Sequence, residues 1–444
     1  MNYTELTNKL VSKALDLGAD SAEVYLETVR NLSIQVLNGE IDTIEEAASA
    51  GVGFRVIVNG KSGFSHCNDF DEKSMEETLK MAIEFAKLTT PDENNVLSDN
   101  EGITEVEGLF DPEISSIPME QKIDMALKLE KMTLEDARVS KSSGAAFGEA
   151  EGEVYIANSN GISKNYKSNG CSIGVSVVAE KGEQKNTGGE YCSRRFFKDL
   201  LSLDEIAKKA ADDAAALIDP QMIPTQKAPV IIDPDAAGSL IRGIISALNG
   251  ERVLQGASFL KDSMNKSFAS PLLTIVDDGT RVKGMGSAPF DGEGVPTQKR
   301  VLVEKGVVKG FIYNTKAANR AGVASTGNAT RRGFDGLPGI GTHNVYVEPG
   351  DKSPEEIIAS TKKGLLVTQI TGYGINAVNG NFSGGASGFW IENGKIKHPV
   401  KGVTIAGTAD EILNAIDMMG NDLDLNKSFS VPTFRVKEMM IGGA

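Results

Sequence analysis

Residues that make metal and nucleophile chemistry easy to recognise are scarce here: three histidines, three cysteines and one tryptophan in 444 residues. A catalytic zinc takes three protein ligands drawn from His, Cys, Asp and Glu. His66, His343 and His398 are scattered, and no H-E-x-x-H occurs. His66 adjoins Cys67, but neighbours on a strand face opposite ways, so the pair is a poor chelate. A structural role is the better reading for each histidine. Cys67, Cys171 and Cys192 form an odd set without C-x-x-C spacing, which suits unpaired buried thiols in a reducing cytoplasm. No G-x-S-x-G elbow is present, and sequence order neither supports nor excludes a Ser-His-Asp triad. No apolar run approaches the roughly eighteen residues of a membrane-spanning helix.

Positive charge is also short. Lys and Arg number 46 against 61 Asp and Glu, a formal net charge of -15, which argues against affinity for nucleic-acid phosphates or anionic membranes. With 40% hydrophobic and 24% charged residues, the composition is that of a globular chain with a real core.

The opening segment, MNYTELTNKLVSKALDLGAD, reads as an amphipathic helix and not as a secretory leader. Alternating segments at residues 21–29, 32–36, 41–47 and 52–58 predict an antiparallel sheet. Asn38-Gly39 and Asn59-Gly60 are placed as two-residue turns, because Asn-Gly supplies the positive φ of a type I′ hairpin. Helices are expected at 73–87 and from 118 to about 136, with an exposed loop rich in Asp, Glu and Pro between them. A second strand set from near Glu149 repeats the pattern: Asn160-Gly161-Ile162, then 170–178 and Lys181-Gly182. This suggests a duplicated helix-plus-sheet unit. After a helix at 203–218, residues 219–229 have linker composition. The expected class is therefore α+β: a duplicated helix-plus-antiparallel-sheet domain over 1–222, then a mainly β domain with a few helices over 227–444. The second domain should open with a strand at 229–233 and a helix at 234–248. Hairpins are expected at 303–309 and 391–397, and further helices at 354–363 and 409–419.

Two clusters invite a functional reading. Gly372-Tyr-Gly-Ile-Asn-Ala-Val-Asn-Gly380, followed by Gly384, Gly385 and Gly388, could cradle phosphate, but it lacks a Gly-Lys-Ser/Thr ending and a following helix. Tight turns and close backbone packing explain it better. In Gly286-Ser-Ala-Pro-Phe-Asp-Gly-Glu-Gly-Val-Pro-Thr297 the carboxylates of Asp291 and Glu293 stand two apart, a spacing suited to acid/base work or cation binding. An exposed turn is the expectation for this acidic chain.

The blocks Val276-Asp-Asp-Gly-Thr, Ser287 to Thr297, Gly310-Phe-Ile-Tyr-Asn, Thr326-Gly-Asn328, Gly364-Leu-Leu-Val-Thr368, Gly388-Phe-Trp-Ile-Glu-Asn-Gly394, Thr404-Ile-Ala-Gly407, Gly420-Asn-Asp-Leu and Met440-Ile-Gly-Gly443 resemble the TldD/PmbA family, once called modulators of DNA gyrase. The motifs cover roughly the second half of the chain; the first half agrees in layout. The resemblance implies a bacterial or archaeal cytoplasmic protein. In that family TldD and PmbA (TldE) subunits pair as a zinc protease acting on unfolded peptides, such as a microcin precursor and an addiction antitoxin.

In TldD the metal is held by H-E-x-x-x-H on a helix and by a distant cysteine. Counted from Gly238, the matching positions here are Arg242, Gly243 and Ala247, and residues 420–433 contain no cysteine. The resemblance is thus to the PmbA/TldE branch, with no metal ligand or catalytic residue expected in this chain and zinc expected only in a TldD-type partner. Partnership as a heterodimer, or a homodimer in isolation, follows from the family. Asp291, Glu293, Tyr373 and Asn376 are candidates for a peptide or partner groove, where strands and glycine turns would hold an extended chain by main-chain hydrogen bonds. Two alternatives stand beside this: a free-standing peptidase using other residues, and a protein-binding modulator of DNA gyrase.

Overall fold

The computed structural model describes residues 2–99 and 102–443; residues 100 and 101, inside the acidic loop, lie outside the described residues. The N-terminal half runs α1 (Tyr3–Asp16), β1 (Ser21–Leu37), β2 (Glu40–Val58), β3 (Lys61–Cys67) and α2 (Glu72–Leu88). It then repeats the order as α3 (Met119–Leu134), β4 (Lys141–Asn158), β5 (Ser163–Lys181), β6 (Gln184–Arg194) and α4 (Leu203–Ala216). The duplication is real, and the two copies share one antiparallel sheet, β3-β2-β1-β4-β5-β6. Where separate segments are expected at 21–36 and 41–58, two long strands form. The second set begins at Lys141 and not near Glu149.

Local chemistry accounts for the turns. Asn38 and Gly39 sit at φ 55° and 77°, and Asn59 and Gly60 at 51° and 73°, the double left-handed geometry of a type I′ hairpin. Between β5 and β6 the turn is Gly182-Glu183, one residue later than expected. The helices cover one face of the sheet. Leu79 and Ile83 of α2 pack on Val24, Leu26 and Phe54, while Leu129 of α3 and Ile206 of α4 pack on Ile34, Phe147 and Ile173.

The C-terminal half is mainly β. It comprises β7 (Gln226–Ile232), α5 (Pro234–Ala247), α6 (Gly250–Leu254), β8 (Ile275–Asp278), β9 (Lys299–Glu304), β10 (Val307–Val308), α7 (Thr315–Ala321), β11 (Ala329–Thr330), β12 (Gly339–Ile340), β13 (Val345–Val347), α8 (Pro354–Ser360), β14 (Lys363–Thr371), β15 (Asn381–Glu392), β16 (Lys395–Thr408), α9 (Ala409–Asn414), β17 (Ile416–Met419), β18 (Phe429–Ser430) and β19 (Phe434–Gly442). The helix expected at 409–419 ends at Asn414; its second half is the strand β17. One sheet runs β16-β15-β14-β7-β19-β17, and β16 also pairs with β19, so the sheet closes on itself. A closed sheet has fewer free edges and encloses its own core. That core includes Val230, Leu365, Trp390, Ile405 and Ile441, with Leu240, Ile241 and Ile244 of α5 packed into it. Among the described residues no helix is long and apolar enough to cross a membrane.

Candidate functional site

Helix α5 follows directly from the buried strand β7. The Asp233 carboxylate accepts the Ala236 N–H at 2.9 Å as its cap, and Pro234 occupies the first turn, where a missing N–H costs nothing. Burial pushes the Asp233 carboxyl up to about 7, against the pull of the Ala236 N–H. The helix turns Ala237, Leu240, Ile241, Gly243, Ile244 and Ala247 into the core.

Arg242 is exposed, and its guanidinium lies 4.2 Å from the centroid of the Phe429 ring. Gly243 is buried against the loop after β14: a Cβ there would stand 2.2 Å from the Ile375 carbonyl oxygen. Ala247 is fully buried, and its carbonyl accepts the Ser258 hydroxyl at 2.6 Å. A glutamate at 243 has no room, and none of the three side chains can donate to a metal. A zinc therefore does not fit these residues. Within residues 420–433, Asp422 is occupied in tying down Thr433, accepting from its N–H at 3.0 Å and its hydroxyl at 2.7 Å.

The 372–380 loop lies along α5. It approaches the helix backbone twice, at Gly243 through Ile375 and at Ser239 through Gly374, whose φ is +69° and whose added Cβ would be 2.2 Å from the Ser239 carbonyl. The Asn376 side chain closes the loop on itself, accepting from Val378 N at 2.9 Å and Asn379 N at 3.4 Å. The Ala377 carbonyl accepts from Phe259 N at 3.0 Å. On this fixed loop Tyr373 is 105% exposed. Two of the four groove candidates thus stand beside α5, Tyr373 with its ring free and Asn376 with its carbonyl oxygen engaged.

Asp291 and Glu293 are elsewhere, and the expectation of an exposed turn is overturned: both are buried, Glu293 completely. The Asp291 carboxylate accepts three backbone N–H groups, from Glu293 at 2.8 Å, Val295 at 3.0 Å and Ala329 at 2.8 Å. Burial and the neighbouring Glu293 still raise its pKa. Glu293 accepts from Arg55 at 2.8 Å and from Thr315 N at 2.7 Å. Arg55 also holds Glu23, its cross-strand neighbour, with a two-pronged contact at 3.0 and 2.7 Å, and Arg331 closes on Glu23 from the C-terminal half. This buried chain of charge fastens the N-terminal sheet to the C-terminal domain. Reasoning from sequence missed Glu23, Arg55 and Arg331; the available signal was a charged residue inside each of two otherwise apolar strand segments. Asp291 also lines a cavity of about 270 Å³ between the halves, with Tyr25, Glu27, Tyr166, Arg195 and His343. Glu293 is shut off behind it.

The histidines stay apart: His343 bonds the Gly327 carbonyl at 2.7 Å, His66 is exposed near Phe334, and His398 contacts the Pro399 carbonyl. Cys171 and Cys192 are free and buried, and Cys67 is half-buried. Burial raises all three thiols, so none is held as a thiolate.

The chain matches the PmbA/TldA metallopeptidase family in three successive parts: domain 1 over residues 22–86, the central domain over 112–218 and the C-terminal domain over 225–443. It is 28% identical to the metalloprotease PmbA of Escherichia coli across 99% of this chain and 96% of that one. Its structure is similar to that of TldE from Thermococcus kodakarensis, with a TM-score of 0.90 at 25% identity over 98% of this chain and 99% of the other. It is also similar to a proposed modulator of DNA gyrase from Bacteroides thetaiotaomicron, with a TM-score of 0.91 at 29% identity over 99% and 98% of the two chains.

Proposed function

The chain belongs to the PmbA/TldD metallopeptidase family, and on that premise we propose that it is a PmbA/TldE-like, non-catalytic subunit of a TldD/TldE-type zinc protease that processes unfolded peptides in the cytoplasm. The observation that carries this reading is the closure of α5. Arg242, Gly243 and Ala247 stand where the resemblance puts the ligand and base positions, and Ile375 fills the space beside Gly243. In a TldD-type partner the metal would polarise the scissile carbonyl and activate water; this chain would supply binding surface. Tyr373, unburied on a loop fixed to α5, is the side chain best placed to be covered by that partner or by its peptide, because rigid exposed aromatics lose little conformational freedom when buried.

The test is metal content by mass spectrometry of the purified chain, with chelator-sensitive cleavage of an unfolded peptide measured with and without a TldD-type relative. No bound zinc alone, and cleavage only with the relative, is the expected result. Stoichiometric zinc and cleavage by this chain alone would overturn the proposal. A homodimer of the isolated chain would be compatible with it, since a subunit separated from its partner presents the same surface to itself.

A further inference from the structure

Strand β2 is 19 residues long, yet β3 covers only Val52–Val58 of its outer edge. Over residues 40–51 the strand pairs with β1 alone. Among the described residues, no hydrogen bond outside that ladder reaches the backbone there. The hairpin is not loose. Its tip is held by the buried Glu130 carboxylate of α3, which accepts Asn38 N at 3.0 Å and Gly39 N at 2.8 Å. A long, rigid, open strand edge is a template for another strand, and proteins normally shorten or cover such edges. Here it also carries two apolar side chains in water, Ile41 at 48% and Ile44 at 44% exposed.

Charge selects the occupant. Arg30 is the sole basic residue between Ser21 and Gly51, against Glu23, Glu27, Glu40, Asp42, Glu45 and Glu46, and Arg30 is already paired with Glu46 at 2.5 Å. A second copy adding antiparallel to the same edge would set Asp42, Glu45 and Glu46 near their own counterparts, an arrangement that destabilises strand pairing. An extended segment bearing lysine or arginine meets the opposite situation. From the open edge, its acidic border and its apolar pair, we infer that β2 over residues 40–51 takes an extended, basic segment of another polypeptide as an added strand. Main-chain hydrogen bonds hold the segment, Ile41 and Ile44 contact its apolar side chains, and Asp42 and Glu45 pair with its cations. This surface lies on the N-terminal sheet and stands independently of the role assigned to α5.

The experiment uses the full chain and fluorescence anisotropy of a labelled peptide that alternates Lys and Val. A Glu-for-Lys counterpart and a version interrupted by proline serve as controls. The Lys peptide is expected to bind, more weakly as salt rises, and neither control should bind. Asp42→Lys/Glu45→Lys, which leaves the Arg30 pair intact, should weaken binding about tenfold or more. Ala48→Pro and Ser49→Pro form a matched pair: alternate N–H groups of a strand point away from its neighbour, so one of the two prolines spares the β1 ladder. The variant that keeps the wild-type circular dichroism and thermal transition should lose binding. The inference is overturned if that folded proline variant binds normally, if the Glu peptide binds equally well, or if the Lys peptide does not bind. A dimer of the chain alone that the folded proline variant abolishes would also overturn it, since the edge would then belong to a second copy.

Discussion

Gly243→Ala tests the closure of α5 in a way that separates two opposed effects. In a free helix the change is favourable, by about 1 kcal/mol, because alanine restricts the unfolded chain and favours helical geometry. In this fold the new Cβ would lie 2.2 Å from the Ile375 oxygen, where ordinary contact begins at 3.4 Å, so helix and loop must part by about 1.2 Å. The loop cannot retreat cheaply, being pinned at Ser239 by Gly374 and closed by the Asn376 turn. Overpacking of this kind costs about 1–3 kcal/mol, and against a backbone oxygen the upper part of that range applies. The expected net is a loss of about 1–2 kcal/mol. Gly238→Ala on the same helix is the control, since its Cβ would meet nothing nearer than Phe429 at 3.8 Å; it should gain about 0.5–1 kcal/mol. Trp390, the one tryptophan, is buried in the same core and reports its unfolding. With a urea dependence near 3 kcal/mol/M, the Gly243→Ala midpoint should fall by about 0.5 M. A midpoint equal to or above wild type, moving with Gly238→Ala, would refute the closure.

Arg55→Met should cost about 3–5 kcal/mol, because it leaves the fully buried Glu293 with only the Thr315 N–H. Arg55→Met/Glu293→Gln should recover part of the loss, and thermal denaturation of the two variants decides this. The Asp233 carboxyl is raised to about 7 in the fold, so the folded state holds its proton more firmly than the unfolded chain. Its contribution to stability is full below about pH 4 and is lost as pH rises through about 7. Asp233→Asn should therefore flatten the stability slope between about pH 4 and 7, by at most about 1.4 kcal/mol per pH unit, measured as urea midpoints across that window; an unchanged slope counts against the shift. Tyr373→Ala should leave unfolding within about 0.5 kcal/mol of wild type while weakening association with a TldD-type relative, and calorimetric titration showing unaltered affinity would remove Tyr373 from the interface.

Much of the architecture is legible in neighbouring residues, because turn geometry and amphipathic period act over a few positions. Asn38-Gly39 and Asn59-Gly60 form the expected hairpins, and the helix expected at 73–87 is α2, one residue longer at each end. The echo between the two N-terminal strand sets is a true duplication. The family blocks are local in the same sense. Where boundaries slipped, as at 409–419, the mostly apolar stretch Ile412 to Met419, broken by Asn414 and Asp417, fits a helix or a strand, and pairing of Ile416–Met419 with β19 decides.

Only tertiary structure decided the rest. Asp291 and Glu293 look like solvated carboxylates because acidic residues in a Gly/Pro loop normally are. What buries Glu293 is Arg55, 238 positions away, and the energy of a buried charge depends on such partners and not on its neighbours in the chain. The same holds for Ile375 closing over Gly243 and for β3 stopping short of the end of β2. Sequence alone determined most of the elements that form and the blocks that carry the family. Long-range packing determined which charges are enclosed, which loop fills α5 and which strand edge stays open, because contact between distant segments leaves no pattern in either one.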